Sequence, residues 1–299
     1  YGIKFEEIDV PVYHADVSAF EVTDVDDSII GIFLFDFFIR SSKQGGAWMS
    51  EFRSQSNLDE HVRPVIVNCC NFQKSDPCFL GIDEVRTLFH EFGHGLHGLL
   101  SKVRYPSLSG TNVKQDFVEL PSQIMEHWAL EPEVLKSYAT HQETGEAISD
   151  ELIKKLKSAQ TFNQGFATTE YLAACYLDFA WHQQVGTAPE DVDAFERKAM
   201  GYIHKIKMVD PRYRSAYCRH IFEGEHYSAG YYAYIWAEVL DADGFEAFKE
   251  KGIFDPETAR SFRSNILEKG GTAPPMELYR KFRGREPDVK PLLKNRGLI

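Results

Sequence analysis

The chain has 299 residues and a formal net charge of −12, and 43% of its residues are hydrophobic, enough apolar material to bury a large core as one or two domains. The acidic balance and the lack of any basic tract argue against nucleic acid or an anionic membrane as a partner, because both recruit clustered positive charge. No apolar run approaches the ~20 residues needed to span a bilayer, and the five cysteines, Cys69, Cys70, Cys78, Cys175 and Cys218, follow neither zinc-ribbon nor disulfide-framework spacing and read as the reduced thiols of a cytoplasmic protein.

In chain order, residues 1–80 hold the β signals: Val10–Tyr13, Ser28–Ile39 and Val62–Phe72, separated by Gly, Asp and Ser turns. Ile29–Ile39 is the strongest apolar run; it contains Asp36 and reads as a buried strand. Residues 81–299 read as a helical body, with helices predicted over 83–101, 115–130, 132–141, 146–185 with a break near Gly165, 190–207, 230–250, 255–268 and 274–283. Pro132, Pro189, Pro256 and Pro274 fall near helix starts, where proline is best tolerated. The fold class is therefore predominantly α with a small β-sheet near the N-terminus.

Within the first predicted helix stands His90-Glu91-Phe92-Gly93-His94. Residues four apart on a helix have Cβ atoms only ~5–6 Å apart, so the two imidazoles reach one ion, and this is the spacing of a zinc metallopeptidase. Glu91 sits beside the metal without being a ligand, placed to take a proton from water that the metal acidifies and to deliver it to the leaving amine. Five residues with three fixed positions also recur by chance in unrelated helices. The flanks favour the functional reading: Asp83 is a candidate N-cap, and Val85, Leu88, Phe89, Phe92, Leu96, Leu99 and Leu100 lie at helical spacings.

A catalytic zinc needs a third protein ligand. His97 is two turns beyond His90, ~10 Å along the axis, too far to join both histidines on one ion. A third histidine ten positions after the first would fall on Leu100, which excludes the metzincin pattern. Glu119 follows in a second helical segment beyond a Pro/Ser/Gly-rich loop, and a carboxylate from a second helix is the gluzincin solution.

The segments Thr87–Ser101 and Asp116–Gln123 resemble the oligopeptidase family of thimet oligopeptidase, neurolysin and the bacterial peptidyl-dipeptidases. The likeness extends to Gly45–Met49, Arg63–Asn68, His220–Phe222, Tyr227–Trp236 and Phe282–Arg285, which resemble the peptidyl-dipeptidase branch. It implies a zincin-like fold, one zinc ion held by His90, His94 and Glu119, and Glu91 as general base. Tyr227, Tyr231 and Tyr234, at spacings of four and three, would by composition alone be the buried face of a helix. The resemblance instead places them with His220 along the cleft, Tyr231 and Tyr234 foremost as donors to the oxyanion of the tetrahedral intermediate. His226 stands where relatives usually carry glycine and reads as a surface change. Glu126, two turns after Glu119, is the candidate carboxylate behind a ligating histidine.

Family members are considerably longer, so the resemblance implies the C-terminal part of a catalytic domain whose N-terminal helical half, the opposing channel wall, is a further expected partner of a chain that is monomeric when complete. The implied substrates are short peptides cut to C-terminal dipeptides in the cytoplasm, or in the periplasm if a leader precedes the sequence. The alternatives are internal cleavage of oligopeptides, or a zinc-binding portion inactive without a separate N-terminal half. Cobalt or manganese would also suit the ligands.

Overall fold

The computed structural model describes residues 1–202 and 210–299. Five strands, β1 (Lys4–Ile8), β2 (Val17–Thr23), β3 (Ile29–Phe38), β4 (Trp48–Arg53) and β5 (Val65–Phe72), form one sheet in the order β1-β2-β3-β5-β4. The β3–β5 pair is parallel and the others antiparallel. β5 has a neighbour on each side and is buried from Ile66 to Cys70, which explains its nearly unbroken small and apolar sequence.

Two of the three predicted strands are present. Val10–Tyr13 is not a strand but part of the link between β1 and β2: Pro11 has no N–H for a ladder, and Tyr13 donates its hydroxyl to Asp36 at 2.9 Å. β1, β2 and β4 were not anticipated: charged residues dilute the apolar pattern of β1 and β4, and β2 is a short strand of small and polar residues interleaved with Val17, Phe20 and Val22.

Helix α1 (Ile82–Leu100) lies against the sheet, with Phe92 and Leu99 packed on Val22, Phe33 and Ile66. Its N-cap is Gly81 rather than Asp83: the Gly81 N–H donates to Glu84 Oε2 at 2.7 Å, one half of a capping box. The remaining helices are α2 (Gln115–Val118), α3 (Leu120–Ala129), α4 (Pro132–Tyr138), α5 (Asp150–Ala159), α6 (Gln164–His182), α7 (Val192–Ala199), α8 (Ala233–Lys251), α9 (Pro256–Phe262), α10 (Pro275–Arg283) and α11 (Lys290–Asn295). The main core joins Leu96 and Leu100 of α1 to Leu120, Ile124 and Trp128 of α3, Leu240, Phe245 and Phe248 of α8, and Tyr279 and Phe282 of α10.

The helical body follows the prediction in outline, and the predicted break near Gly165 is present; the boundaries differ in detail. The 115–130 helix is two, divided at Glu119. The 146–185 helix breaks a few residues before Gly165, where Asn163 takes a left-handed conformation at φ 57°. The 190–207 helix is regular to Ala199 and then a 3-10 turn to Tyr202; its predicted end lies outside the described residues. The 255–268 helix passes into a π-turn over Arg263–Leu267. Helix α11 was not foreseen.

Candidate active site

The close approach of α1 and α3 builds the site. Gly93, between the two histidines, faces Pro121 and Ser122, and a Cβ there would lie 2.2 Å from the Pro121 carbonyl oxygen. Only glycine allows the backbones to meet. Pro121 also explains the break at Glu119: it cannot donate to the carbonyl four residues back, so the chain restarts as a new helix with proline in its first turn. The Glu119 carboxylate is thereby turned toward α1. Its Oε2 lies 3.2 Å from His90 Nε2 and 3.2 Å from His94 Nε2, and Ser122 Oγ donates to it at 2.8 Å.

A metal fits this set. Ligand atoms from all three side chains lie within 4.8 Å of one another, and a tetrahedral ion at ~2.0–2.1 Å from each would hold them roughly 3.3 Å apart. His90 Nδ1 is 2.8 Å from Glu126 Oε1, which orients the ring so that Nε2 faces Glu119. Glu126 also accepts from Arg86 at 2.8 Å. Burial works against charge on His90, but the Glu119 and Glu126 carboxylates outweigh it and hold the imidazole well above its ordinary range. Burial likewise opposes ionisation of Glu119, and His94 and His90 overcome it, leaving the carboxyl well below its ordinary value.

Glu91 points elsewhere on α1. It is 5% exposed, its Oε2 is buried without a hydrogen-bond partner, and burial raises its pKa although His94 and His90 pull the other way. A buried carboxylate with no protein partner is costly to maintain, so it marks a place where another group is to be bound. Glu91 and His90 line a cleft of about 540 Å³ with Ala47, Asp83, Arg86, Thr87, Glu126, Tyr213 and Tyr234.

Of the aromatic group, Tyr234 reaches this cleft. Its hydroxyl is 2.9 Å from His220 Nε2. Tyr227 and Tyr231 pack edge-on against the His220 ring, with centroids 4.8 and 5.4 Å away, so all four predicted side chains form one cluster. Burial and then the negative charge of Glu119 push the Tyr234 hydroxyl up, while burial pulls His220 down against the field of Glu119. Both are neutral at physiological pH, and the phenol keeps a proton to donate. His97 is fully buried, stands apart from the ligand set and is lowered to about 3 by burial. His226 is exposed.

Three residues that the sequence did not single out belong here. Tyr213 lines the cleft. Tyr171 and Asp178, both on α6, bond to the backbone of the tyrosine segment. Asp178 could have been noticed as an acid inside the apolar run Leu172–Trp181 of α6, the same signal that Asp36 gives in β3.

The model of Peptidase family M3 matches residues 1–298. The chain is 47% identical over 304 residues to the dipeptidyl carboxypeptidase of Escherichia coli strain K12, covering 100% of this chain and 44% of that protein. It is 40% identical over 310 residues to oligopeptidase A of the same strain, covering 100% of the chain and 45% of the relative. The thimet-like oligopeptidase of Dictyostelium discoideum is 31% identical over 310 residues, with 99% and 45% covered. The chain thus spans less than half the length of these relatives. Two histidines of one helix, a carboxylate from the next and a family match over nearly every residue lead to one conclusion: this chain belongs to peptidase family M3.

Proposed function

We propose that the chain carries the catalytic centre of a zinc peptidase that hydrolyses short peptides and releases dipeptides from their C-terminal end. The observation that carries this reading is a cleft lined by His90 of the His90–His94–Glu119 set, by Glu91 with its unpartnered carboxylate oxygen and by Tyr234. Zinc held by the three ligands would supply Lewis acidity and lower the pKa of a water to ~7. Glu91 takes the proton of the attacking water and passes it to the leaving amine. Tyr234, with Tyr231 beside it, donates to the oxygen on which negative charge develops, in a site where burial makes that bond strong. His220, neutral and within hydrogen-bond distance of Tyr234, orients the phenol.

Dipeptide release is supported by the higher identity to the dipeptidyl carboxypeptidase than to oligopeptidase A; internal cleavage of oligopeptides is the second reading, favoured by the latter likeness. The five free thiols, four of them buried, support a reducing compartment, the cytoplasm. Among the described residues no helix is long and apolar enough to cross a membrane.

The test is mass spectrometry of a peptide with a free C-terminus, and of its amidated twin, incubated with the zinc-loaded chain. Stepwise loss of dipeptides from the free peptide alone is expected, with Glu91→Gln retaining zinc and losing ~10²–10⁴-fold in rate. Equal cleavage of both peptides at internal bonds would establish the endopeptidase reading. Bound zinc without turnover would mean that a further polypeptide completes the enzyme.

A further inference from the structure

The segment that presents the tyrosines, Tyr227–Tyr231, belongs to no helix or strand. Its own bonds are turn contacts, from Tyr227 N to Gly224 O at 3.1 Å and from Gly230 N to Tyr227 O at 3.2 Å. The N–H groups of Ala229 and Tyr231 turn instead to the side chains of α6, both to Asp178, with Ala229 N also 3.2 Å from His182 Nδ1. Asp178 accepts from Ala229 N at Oδ1, 3.0 Å, and from Tyr231 N at Oδ2, 2.8 Å. The carboxylate is 0% exposed. His182, one turn further along α6, brings Nδ1 to 2.7 Å from Asp178 Oδ1.

The backbone is shaped for this grip. Ala229 has φ 53°, a left-handed conformation that is unfavourable for a residue with a Cβ. The reward is that nearby N–H groups converge into a concavity suited to an anion. One turn or two back on the same face of α6, the Tyr171 hydroxyl donates to Tyr231 O and accepts from Ile235 N at 3.2 Å, and the Tyr171 and Tyr231 rings stack with centroids 5.5 Å apart. Tyr171, Asp178 and His182 recur at intervals of seven and four, the spacing of a single helical stripe, and the stripe faces the tyrosine segment along its length.

We infer that Asp178, braced by His182, is a positioning residue for the reaction: its buried carboxylate fixes the backbone of Ala229–Tyr231 and so sets where the Tyr231 and Tyr234 hydroxyls stand. This rests on the peptidase reading above, in which those hydroxyls act on the substrate carbonyl. A shift of ~1 Å in such a donor is enough to cost ~10²-fold in rate. The substitution Asp178→Asn keeps the shape but turns an amide NH2 toward one of the two backbone N–H groups, releasing half of the clamp.

The test pairs hydrogen exchange with kinetics on the zinc-loaded protein. In Asp178→Asn the Ala229 and Tyr231 amides are expected to lose at least roughly tenfold in protection while zinc content and melting curve stay near those of the parent. On a fluorogenic peptide kcat falls ~10–100-fold with KM within about threefold, and adding Asp178→Asn to the Tyr231→Phe/Tyr234→Phe pair costs no more than about a further threefold, because it acts through those two hydroxyls. Unchanged exchange at the two amides, an unchanged kcat, or losses that multiply in the triple variant would each overturn the proposal. Should Asp178→Asn fail to fold, His182→Gln carries the same exchange measurement, and unaltered protection there overturns the brace. A parent protein that binds zinc but cleaves nothing would show that a further polypeptide is needed for peptidase activity, while unaltered exchange at residues 229 and 231 in the variant would still overturn the role of Asp178.

Discussion

Glu126 acts on the ligand set through one hydrogen bond. Its Oε1 holds His90 Nδ1 at 2.8 Å and its Oε2 holds Arg86 at 2.8 Å, so the imidazole is fixed in orientation and made more basic toward a metal. His94 has no such help, its Nδ1 being buried without a partner. Glu126→Ala is therefore expected to weaken zinc binding ~10–100-fold without unfolding the chain, as read by competition with a chromophoric chelator; unchanged affinity would show that the pair is only a surface ion pair. At this scale the sequence was most legible where function depends on local spacing. His90, Glu91 and His94 are a helical pattern, and Glu126 follows from a two-turn interval. Asp178 is visible in the sequence only as an acid inside an apolar run; its role was not legible, because what it binds are backbone amides 51 and 53 residues away, and backbone amides leave no mark in a sequence.

Among the elements, the α1–α3 contact decides the geometry. The break at Glu119 was signalled by Pro121, yet the apolar periodicity of residues 115–130 runs through it and reads as one helix. Gly93 supplies the other half of the contact. Gly93→Ala puts a methyl carbon where the Pro121 carbonyl stands, so the helices must part and carry Glu119 away from the histidines. The expected loss is ~1–3 kcal/mol of stability, typical of overpacking, together with roughly tenfold or more in zinc affinity. Gly165→Ala is the control, since nothing lies within 4 Å of a Cβ at that position in α6. Denaturant unfolding and zinc titration of the two variants check this, and equal behaviour would refute it. Among the strands, legibility tracked the length of the apolar run: β3 and β5, the longest, were found, whereas the shorter β1, β2 and β4 were not, although β2 buries Val17, Ala19 and Val22.

For the whole molecule, the C-terminal helices close the core around the site helices. Tyr279 on α10 is fully buried and donates to Asp243 on α8 at 2.6 Å, and Arg283 and Arg285 also reach Asp243. Tyr279→Phe leaves that buried carboxylate one donor short, for an expected cost of ~1–3 kcal/mol measured as a lower urea midpoint, with kcat unaffected in the folded fraction. The two-part plan of a small sheet and a helical body was readable from composition and period. The way distant helices share one core was not, because apolar residues at helical spacing say that a face is buried but not against what.

Helix α8 has a double duty that bears on the order of events during synthesis. Its second residue is Tyr234, and its later turns place Leu240, Phe245 and Phe248 against Leu120, Ile124 and Trp128 of α3. The ribosome delivers His90, His94 and Glu119 long before this helix, but the core behind Glu119 cannot close until α8 arrives, bringing the phenol of Tyr234 with it. Under the proposed peptidase reading, closure of the ligand set and arrival of the phenol fall at the same late step, and a chain that ends before α8 would have neither.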